Sequence, residues 1–344
     1  MKQDFLIDSY MQNLFGQVYR DPFADVRNKE DAQAVCKELQ QKLHTVFAVD
    51  LIPGKKAKAE TRCIREDDRG AYIQKKLTVT FCDNLTMPVY LLVPKKINKK
   101  APCAVALCGH GYGVRQIVGV RKNGSPKKLP FIDDYQKHFA VQLAERGCIV
   151  AAPELFGFGE MKLKKDMNIP FYSSSCKTIS SHLLPFGITT ASMRILQAQV
   201  CADILLQMHE ADADRLGIMG ISGGGLTALY TAALDERFQR ICISGYVNSF
   251  RTSILSMWHC PDNYFPDIIR YGDIGDFAAT LAPRTLVTES GKRDPLFPLE
   301  GSLEGIEKIR RVYSLLDAEN KYTADIFDGK HRVSGAHSFR ILSE

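Results

Sequence analysis

The stretch of this chain best suited to chemistry is a serine set among glycines, Gly220-Ile221-Ser222-Gly223-Gly224. A serine hydroxyl is a weak nucleophile until a base takes its proton and a third group holds that base. In a sharp turn between strand and helix the hydroxyl stands clear of the sheet and faces the first amides of the helix. Leu216 to Met219 supplies an apolar strand before the turn, and Gly223 to Leu229 a small-residue helix start after it. Such a turn strains the serine backbone and brings strand and helix so close that side chains at the flanking positions would clash. The glycines do not spell a dinucleotide G-x-G-x-x-G, because Ser222 stands where a glycine is needed, and no G-x-x-x-x-G-K-[ST] occurs.

The base and its orienting acid are expected after the serine, each in a loop at the carboxyl end of a later strand. Beyond the strand Arg284 to Glu289 comes Ser290-Gly-Lys-Arg-Asp294, with the carboxylate just past a turn glycine. Glu289, at the end of that strand, and Asp328, close in sequence to the histidine, are the other acids available. Beyond the strand Tyr322 to Phe327 comes Asp328-Gly-Lys-His331, and His337 follows six residues later as the rival base. His331 is preferred because it lies directly past the strand end, where a short loop can aim it at the serine. His44 and His209 fall on expected helices, and His138 and His182 precede the serine.

The oxyanion formed by attack on an acyl group needs fixed N–H donors. Gly223, the residue after the nucleophile, is expected to give one. The loop Gly109-His110-Gly111-Tyr112-Gly113 is expected to give the other, from Tyr112 or its neighbour Gly111. His110 then reads as a structural residue hydrogen-bonded within its own loop. A zinc reading for Cys108 and His110 lacks a companion ligand pair at a suitable spacing, so no metal or cofactor is expected.

The elements that would position these residues follow from periodicity. Phe5 to about Phe47 has helical spacing, with a stripe of Ala32, Ala34, Val35, Leu39 and Leu43 and a break at Asp21-Pro22. Arg62–Arg65, Ala71–Phe81 and Met87–Val93 alternate and are joined by turn residues, an antiparallel meander. After Pro102 apolar strands alternate with helices: Cys103 to Cys108, a helix from Asp134 to Arg146, Cys148 to Ala152, a helix from Thr190 to His209, then the serine strand, Ile241 to Ser244 and the two strands named above. That pattern means a mostly parallel sheet covered on both faces. Residues 1–58 are expected to be a helical extension packed on a catalytic domain of residues 59–344. The long segments Tyr112 to Ile132 and Glu160 to Thr189 are candidates for a lid or substrate wall.

At 344 residues, 45% hydrophobic and 24% charged, the chain reads as a soluble globular protein. The first ten residues show no basic start followed by an apolar run, so no secretory signal is expected, and no apolar run is long enough to span a bilayer. Ten cysteines lie scattered, several of them in apolar strands, as in a reduced cytoplasmic protein. The net charge of +6 comes from lysines in loop-like places without interleaved aromatics, so no nucleic-acid or membrane partner is expected; homo-oligomerisation is left open.

These pieces together resemble the α/β-hydrolases, and most closely the dienelactone-hydrolase-like and acetyl xylan esterase/cephalosporin C deacetylase branch. The resemblance runs from about Leu77 to Val333. It rests on His110-Gly-Tyr112, Gly220-Ile-Ser222-Gly-Gly, Ala282-Pro-Arg-Thr, Gly291-Lys-Arg-Asp294 and Gly329-Lys-His331. It implies the triad roles for Ser222, Asp294 and His331 and the oxyanion role for Tyr112 and Gly223. Departures are a serine where dienelactone hydrolases have cysteine, Lys330 where two glycines often precede the histidine, and no room before Cys103 for the propeller of related peptidases. The expectation is a serine esterase working through an acyl-enzyme on a small-molecule, short-chain ester of acetyl type. The alternatives are an amidase with the same triad and a catalytically silent binding scaffold.

Overall fold

The computed structural model describes residues 7–111, 113–127, 134–169 and 173–344. Two helices come first, α1 (Asp8–Val18) and α2 (Lys29–Phe47). Asp21 separates them by accepting the Phe23 amide at 2.8 Å in a turn that Pro22 favours. Asn28 caps α2 by accepting the Asp31 amide, and its stripe of Ala32, Cys36, Leu39, Leu43 and Phe47 is buried. Phe47 packs its ring on Tyr230 and Phe265, so this stripe joins the main core.

Among the described residues nine strands form one sheet in the order β1-β2-β3-β5-β4-β6-β7-β8-β9. The hairpins of β1 (Lys55–Asp68), β2 (Tyr72–Cys82) and β3 (Leu85–Pro94) are antiparallel, and β3 meets β5 antiparallel. From there on β5 (Ile149–Pro153), β4 (Ala101–Leu107), β6 (Ala211–Ile221), β7 (Arg240–Ser244), β8 (Thr285–Gly291) and β9 (Tyr322–Phe327) run parallel. Strands β4 and β5 are buried at every position, which their unbroken apolar runs foretell. The helices between them are α3 (Val114–Ile117), α4 (Phe139–Glu145), α5 (Cys176–Leu183), α6 (Thr190–Leu206), α7 (Gly223–Leu234), α8 (Ile268–Tyr271), α9 (Ile274–Ala279) and α10 (Leu299–Leu315), and α11 (Ser338–Ser343) follows β9.

Helices cover both faces, as two glycines of β6 demonstrate. A side chain at Gly217 would meet Leu342 of α11, and one at Gly220 would meet Gly224 of α7. Positions 217 and 220 have opposite parity on a strand, so α11 and α7 lie on opposite faces. Helix α4 sits with α11, and α6 and α9 with α7. No helix among the described residues is long and apolar enough to cross a membrane.

Some expectations are corrected. The helix expected from Asp134 begins at Phe139, because Lys137 and His138 take positive φ of 48° and 39° and break the spiral. Helix α6 stops at Leu206, which leaves His209 in a turn. The segment 160–189 contains α5, whose Cys176, Ile179 and Leu183 have helical spacing, and the segment 112–132 contains α3.

Candidate active site

Four of the residues singled out for chemistry leave the same edge of the sheet. His110 follows β4, Ser222 follows β6, Asp294 follows β8 and His331 follows β9. In an open parallel sheet that carboxyl-end edge is where ligands bind.

Ser222 sits at φ 58°, ψ −123°, a conformation an L-residue adopts only at a cost of about 1–3 kcal/mol. Neighbours on both sides enforce it. The Ser222 amide donates to the Ser244 carbonyl at 3.0 Å, and the Ser222 carbonyl already accepts from Leu226 in α7. A Cβ on Gly220 would stand 2.0 Å from the Gly224 carbonyl oxygen, and one on Gly224 would stand 2.1 Å from that of Leu107. Both motif glycines are therefore steric requirements of the turn. Gly223 has a separate reason: a Cβ there would lie 2.5 Å from the His110 ring. Its amide is the first of α7, where backbone N–H groups have no intrahelical acceptor.

Asp294 and His331 are joined directly, with His331 Nδ1 to Asp294 Oδ2 at 2.7 Å and both side chains largely removed from water. The second Asp294 oxygen accepts the amides of Leu296 and Phe297, which fixes the carboxylate. The two loops are fastened to each other. Lys292 N donates to the Phe327 carbonyl, Arg293 N to that of Gly329, and a side chain at Gly291 would collide with the Lys330 carbonyl oxygen at 2.4 Å. Lys330 meets Gly291 through its backbone and is exposed. The imidazole lies between the rings of Tyr135 and Phe297, stacked at 5.8 and 5.6 Å. Its Nε2 is buried and has no hydrogen-bond partner among the described residues, so the Ser222 hydroxyl is not bonded to it here. The two are brought near through Gly245: the preceding residue, Ser244, holds the Ser222 amide, and a Cβ on Gly245 would stand 3.0 Å from His331 Cε1.

The rival candidates have other partners. His337 is exposed at the start of α11. Asp328 pairs with Arg293 at the surface. Glu289 is buried, and its carboxylate accepts the amides of Ser334 and Gly335 and the Ser338 hydroxyl, so it anchors the chain just past His331. Tyr112 lies outside the described residues. Its neighbours Gly111 and Gly113 have φ of 101° and 67°, open only to glycine without strain.

His110 is not bonded within its own loop, as the sequence suggested. Its Nε2 meets Asp262 Oδ2 at 2.7 Å, across a different segment. Cys176 and Cys260 also approach His110 and Asp262, so the companion donors that spacing in the sequence did not reveal come from segments far apart in the chain. Loss of water would lower the His110 pKa, but Asp262, by charge and hydrogen bond, and Cys176 raise it to about 9.

Sequence reasoning missed several residues around this edge. His259 is buried, bonded to the Ser253 hydroxyl and packed on Phe297; burial, then His110 and His331, lower its pKa. Tyr135 donates its hydroxyl to the His110 carbonyl and accepts the Val333 amide on its own carbonyl, linking the two loops. Glu154, just past β5, accepts the amides of Val114 and Glu160, and burial lifts its pKa to about 7 against those two bonds. A lone acid after an apolar strand was the available signal for Glu154; His259 and Tyr135 carried none.

The sheet order, the elbow at Ser222 and the loops at its carboxyl edge are those of the α/β-hydrolase fold, and the chain adopts that fold. No family model matches it. A Bacillus subtilis (strain 168) protein described as "Putative hydrolase YtaP" is 27% identical over 267 residues, 75% of this chain and 82% of that protein. Among solved structures, one described as a "putative acetyl xylan esterase" of Bacteroides fragilis matches 95% of this chain and 83% of its own, with TM-score 0.79 and 14% identity. A glucuronoyl esterase from Solibacter usitatus matches 89% of this chain and 90% of its own, with TM-score 0.64 and 17% identity.

Proposed function

We propose that the protein is a serine esterase in which Ser222, His331 and Asp294 act as a triad. The observation that carries this reading is the His331–Asp294 pair, fixed at 2.7 Å by Nδ1 beside the elbow, with Nε2 left unpartnered. Asp294 accepts a hydrogen bond from Nδ1–H and so leaves Nε2 as the basic nitrogen. Rotation about the Ser222 Cα–Cβ bond turns the hydroxyl toward Nε2 once an ester is seated. The hydroxyl oxygen then attacks the ester carbonyl carbon while Nε2 takes its proton. The charge that gathers on the carbonyl oxygen is met by the Gly223 amide and by the amide of Gly111 or Tyr112. Collapse of this adduct breaks the bond to the alkoxy oxygen, which leaves as the alcohol with the proton from Nε2. Water, deprotonated by the same nitrogen, releases the acid and restores Ser222.

A short acyl group on a small alcohol or sugar is the substrate class in view, supported by the esterases that share this fold. The test is release of nitrophenol from nitrophenyl acetate, followed within the first turnover. An initial burst equal to the enzyme present, lost in Ser222→Ala, is the expected result. Activity of the correctly folded Ser222→Ala protein equal to that of the parent would overturn the reading. Turnover of peptide anilides with no action on esters would replace esterase by amidase.

A further inference from the structure

The densest group of reactive side chains outside the proposed triad lies behind the His110 loop. His110, Cys176 at the first residue of α5, Cys260 and Asp262 each bring one donor atom to within 4.8 Å of the others. Arg194 of α6, wholly buried, places Nη1 2.6 Å from Asp262 Oδ2 and Nη2 3.0 Å from Cys176 Sγ. None of these groups has a part in the ester chemistry set out above.

A bound divalent metal is one use for such donors, and the distances oppose it. His110 Nε2 and Asp262 Oδ2 are 2.7 Å apart, a hydrogen-bond length. Two donors on one tetrahedral zinc, each about 2.1 Å from it, stand about 3.4 Å apart. The guanidinium already touches two of the four donors and supplies the positive charge that a metal would bring.

We propose that Cys176 and Cys260 form a peroxide-sensitive dithiol that closes to a disulfide, tying α5 to the loop beside His110. The cysteine environment supports it. Cys176 stands at the amino end of α5 with a buried guanidinium on its sulfur, and a thiolate is favoured in both settings. The Cys260 thiol, then Arg194 and His110, hold its pKa below the ordinary cysteine value against the effect of burial. The other buried cysteines, Cys36, Cys82, Cys103, Cys108, Cys148, Cys201 and Cys242, are pushed upward by burial and stay as inert thiols. Cys260 is half-buried, and α5 packs against residues 261–263, so the two sulfurs belong to elements already in contact. A cavity of about 170 Å³ lined by Ser180, Thr190, Pro261 and Tyr264 reaches Asp262, one member of the cluster, and is large enough for a molecule as small as hydrogen peroxide.

The chemistry balances with the peroxide as oxidant. The Cys176 thiolate attacks one peroxide oxygen, the O–O bond breaks, and hydroxide leaves and is protonated to water, giving a sulfenic acid. The Cys260 thiol loses its proton and attacks the Cys176 sulfur, the S–O bond breaks, and the hydroxide released takes that proton as a second water. Two thiols lose two electrons in all, and the peroxide gains them. The bridge deprives Arg194 and His110 of the thiolate and leaves Asp262 as the anion between two cations. Because His110 packs against Gly223, the change reaches the residue beside Ser222.

The experiment treats the full chain with equimolar hydrogen peroxide, alkylates remaining thiols and maps peptides by mass spectrometry. The expected product is a 176–260 cross-link with a mass loss of about 2 Da, reversed by dithiothreitol. Cys260→Ser is expected to stop at a Cys176 sulfenic acid that dimedone traps, and Cys176→Ser to show neither product. Three results overturn the proposal: both cysteines alkylated after peroxide, a cross-link through other cysteines, or zinc in the purified chain whose chelation frees these two thiols. The wild-type map decides the matter even if a variant fails to fold. These readouts do not use ester hydrolysis, so they stand or fall apart from the esterase reading.

Discussion

Replacing Glu154 with glutamine isolates a single buried charge and its pH dependence. The Glu154 carboxyl is fully buried at the end of β5, between the loop that carries Gly113 and the turn that carries Gly159. Burial raises its pKa from the ordinary 4.5 to about 7, against the bonds from Val114 and Glu160 that favour the charged form. Because the folded chain holds this proton more tightly than the unfolded chain, stability is highest below the unfolded value. It falls as pH rises, and the full loss is present above about 7. At about 1.4 kcal/mol per pH unit, the interval from 4.5 to about 7 sets an upper scale of about 3–4 kcal/mol. Glutamine keeps one acceptor for the Val114 amide but presents N–H toward Glu160, a roughly pH-independent cost of about 1 kcal/mol. Urea unfolding of parent and Glu154→Gln between pH 4.5 and 8 tests this. The variant is expected to be the less stable at pH 4.5 and to gain on the parent steadily toward pH 7.5. A stability difference that stays constant across that range would refute the argument that burial controls this carboxyl.

Asp294→Asn is expected to leave unfolding unchanged within about 1 kcal/mol while lowering kcat for nitrophenyl acetate by about 10⁴, because the wrong imidazole nitrogen is then protonated. A fall of less than tenfold would remove Asp294 from its role. His331→Ala is expected to abolish turnover and His337→Ala to keep it, since His337 is exposed at the start of α11; the opposite pattern would exchange the two. Phe47→Ala removes a fully buried ring packed on Tyr230 and Phe265 and is expected to cost about 3–5 kcal/mol in urea unfolding. A cost below 1 kcal/mol would mean that α2 is not part of the main core.

The parallel strands were legible because an element buried on both faces reads as an unbroken apolar run, and β4, β5 and β7 consist of little else. The elbow was legible because its glycines answer to contacts within a few residues, Gly220 against Gly224 above all. Asp294 and His331 could be placed because each follows a strand end directly. Helix α5 was hidden: with eight residues inside a polar segment, its apolar positions are too few to mark a period. The start of α4 was misread because nothing in Lys137 or His138 announces positive φ. The cluster of His110, Cys176, Arg194, Cys260 and Asp262 could not be found from spacing, because its members lie on four separate segments that only the folded chain brings together.

The account turns on one covalent bond, the ester that forms between Ser222 and the acyl group of its substrate. A fluorophosphonate reacts with an activated serine in the same way and stays attached. Mass mapping of the labelled chain is expected to find one adduct, on the peptide containing Ser222, and none in His331→Ala. A folded, active protein that takes no label at Ser222, or takes it equally without His331, would contradict the account.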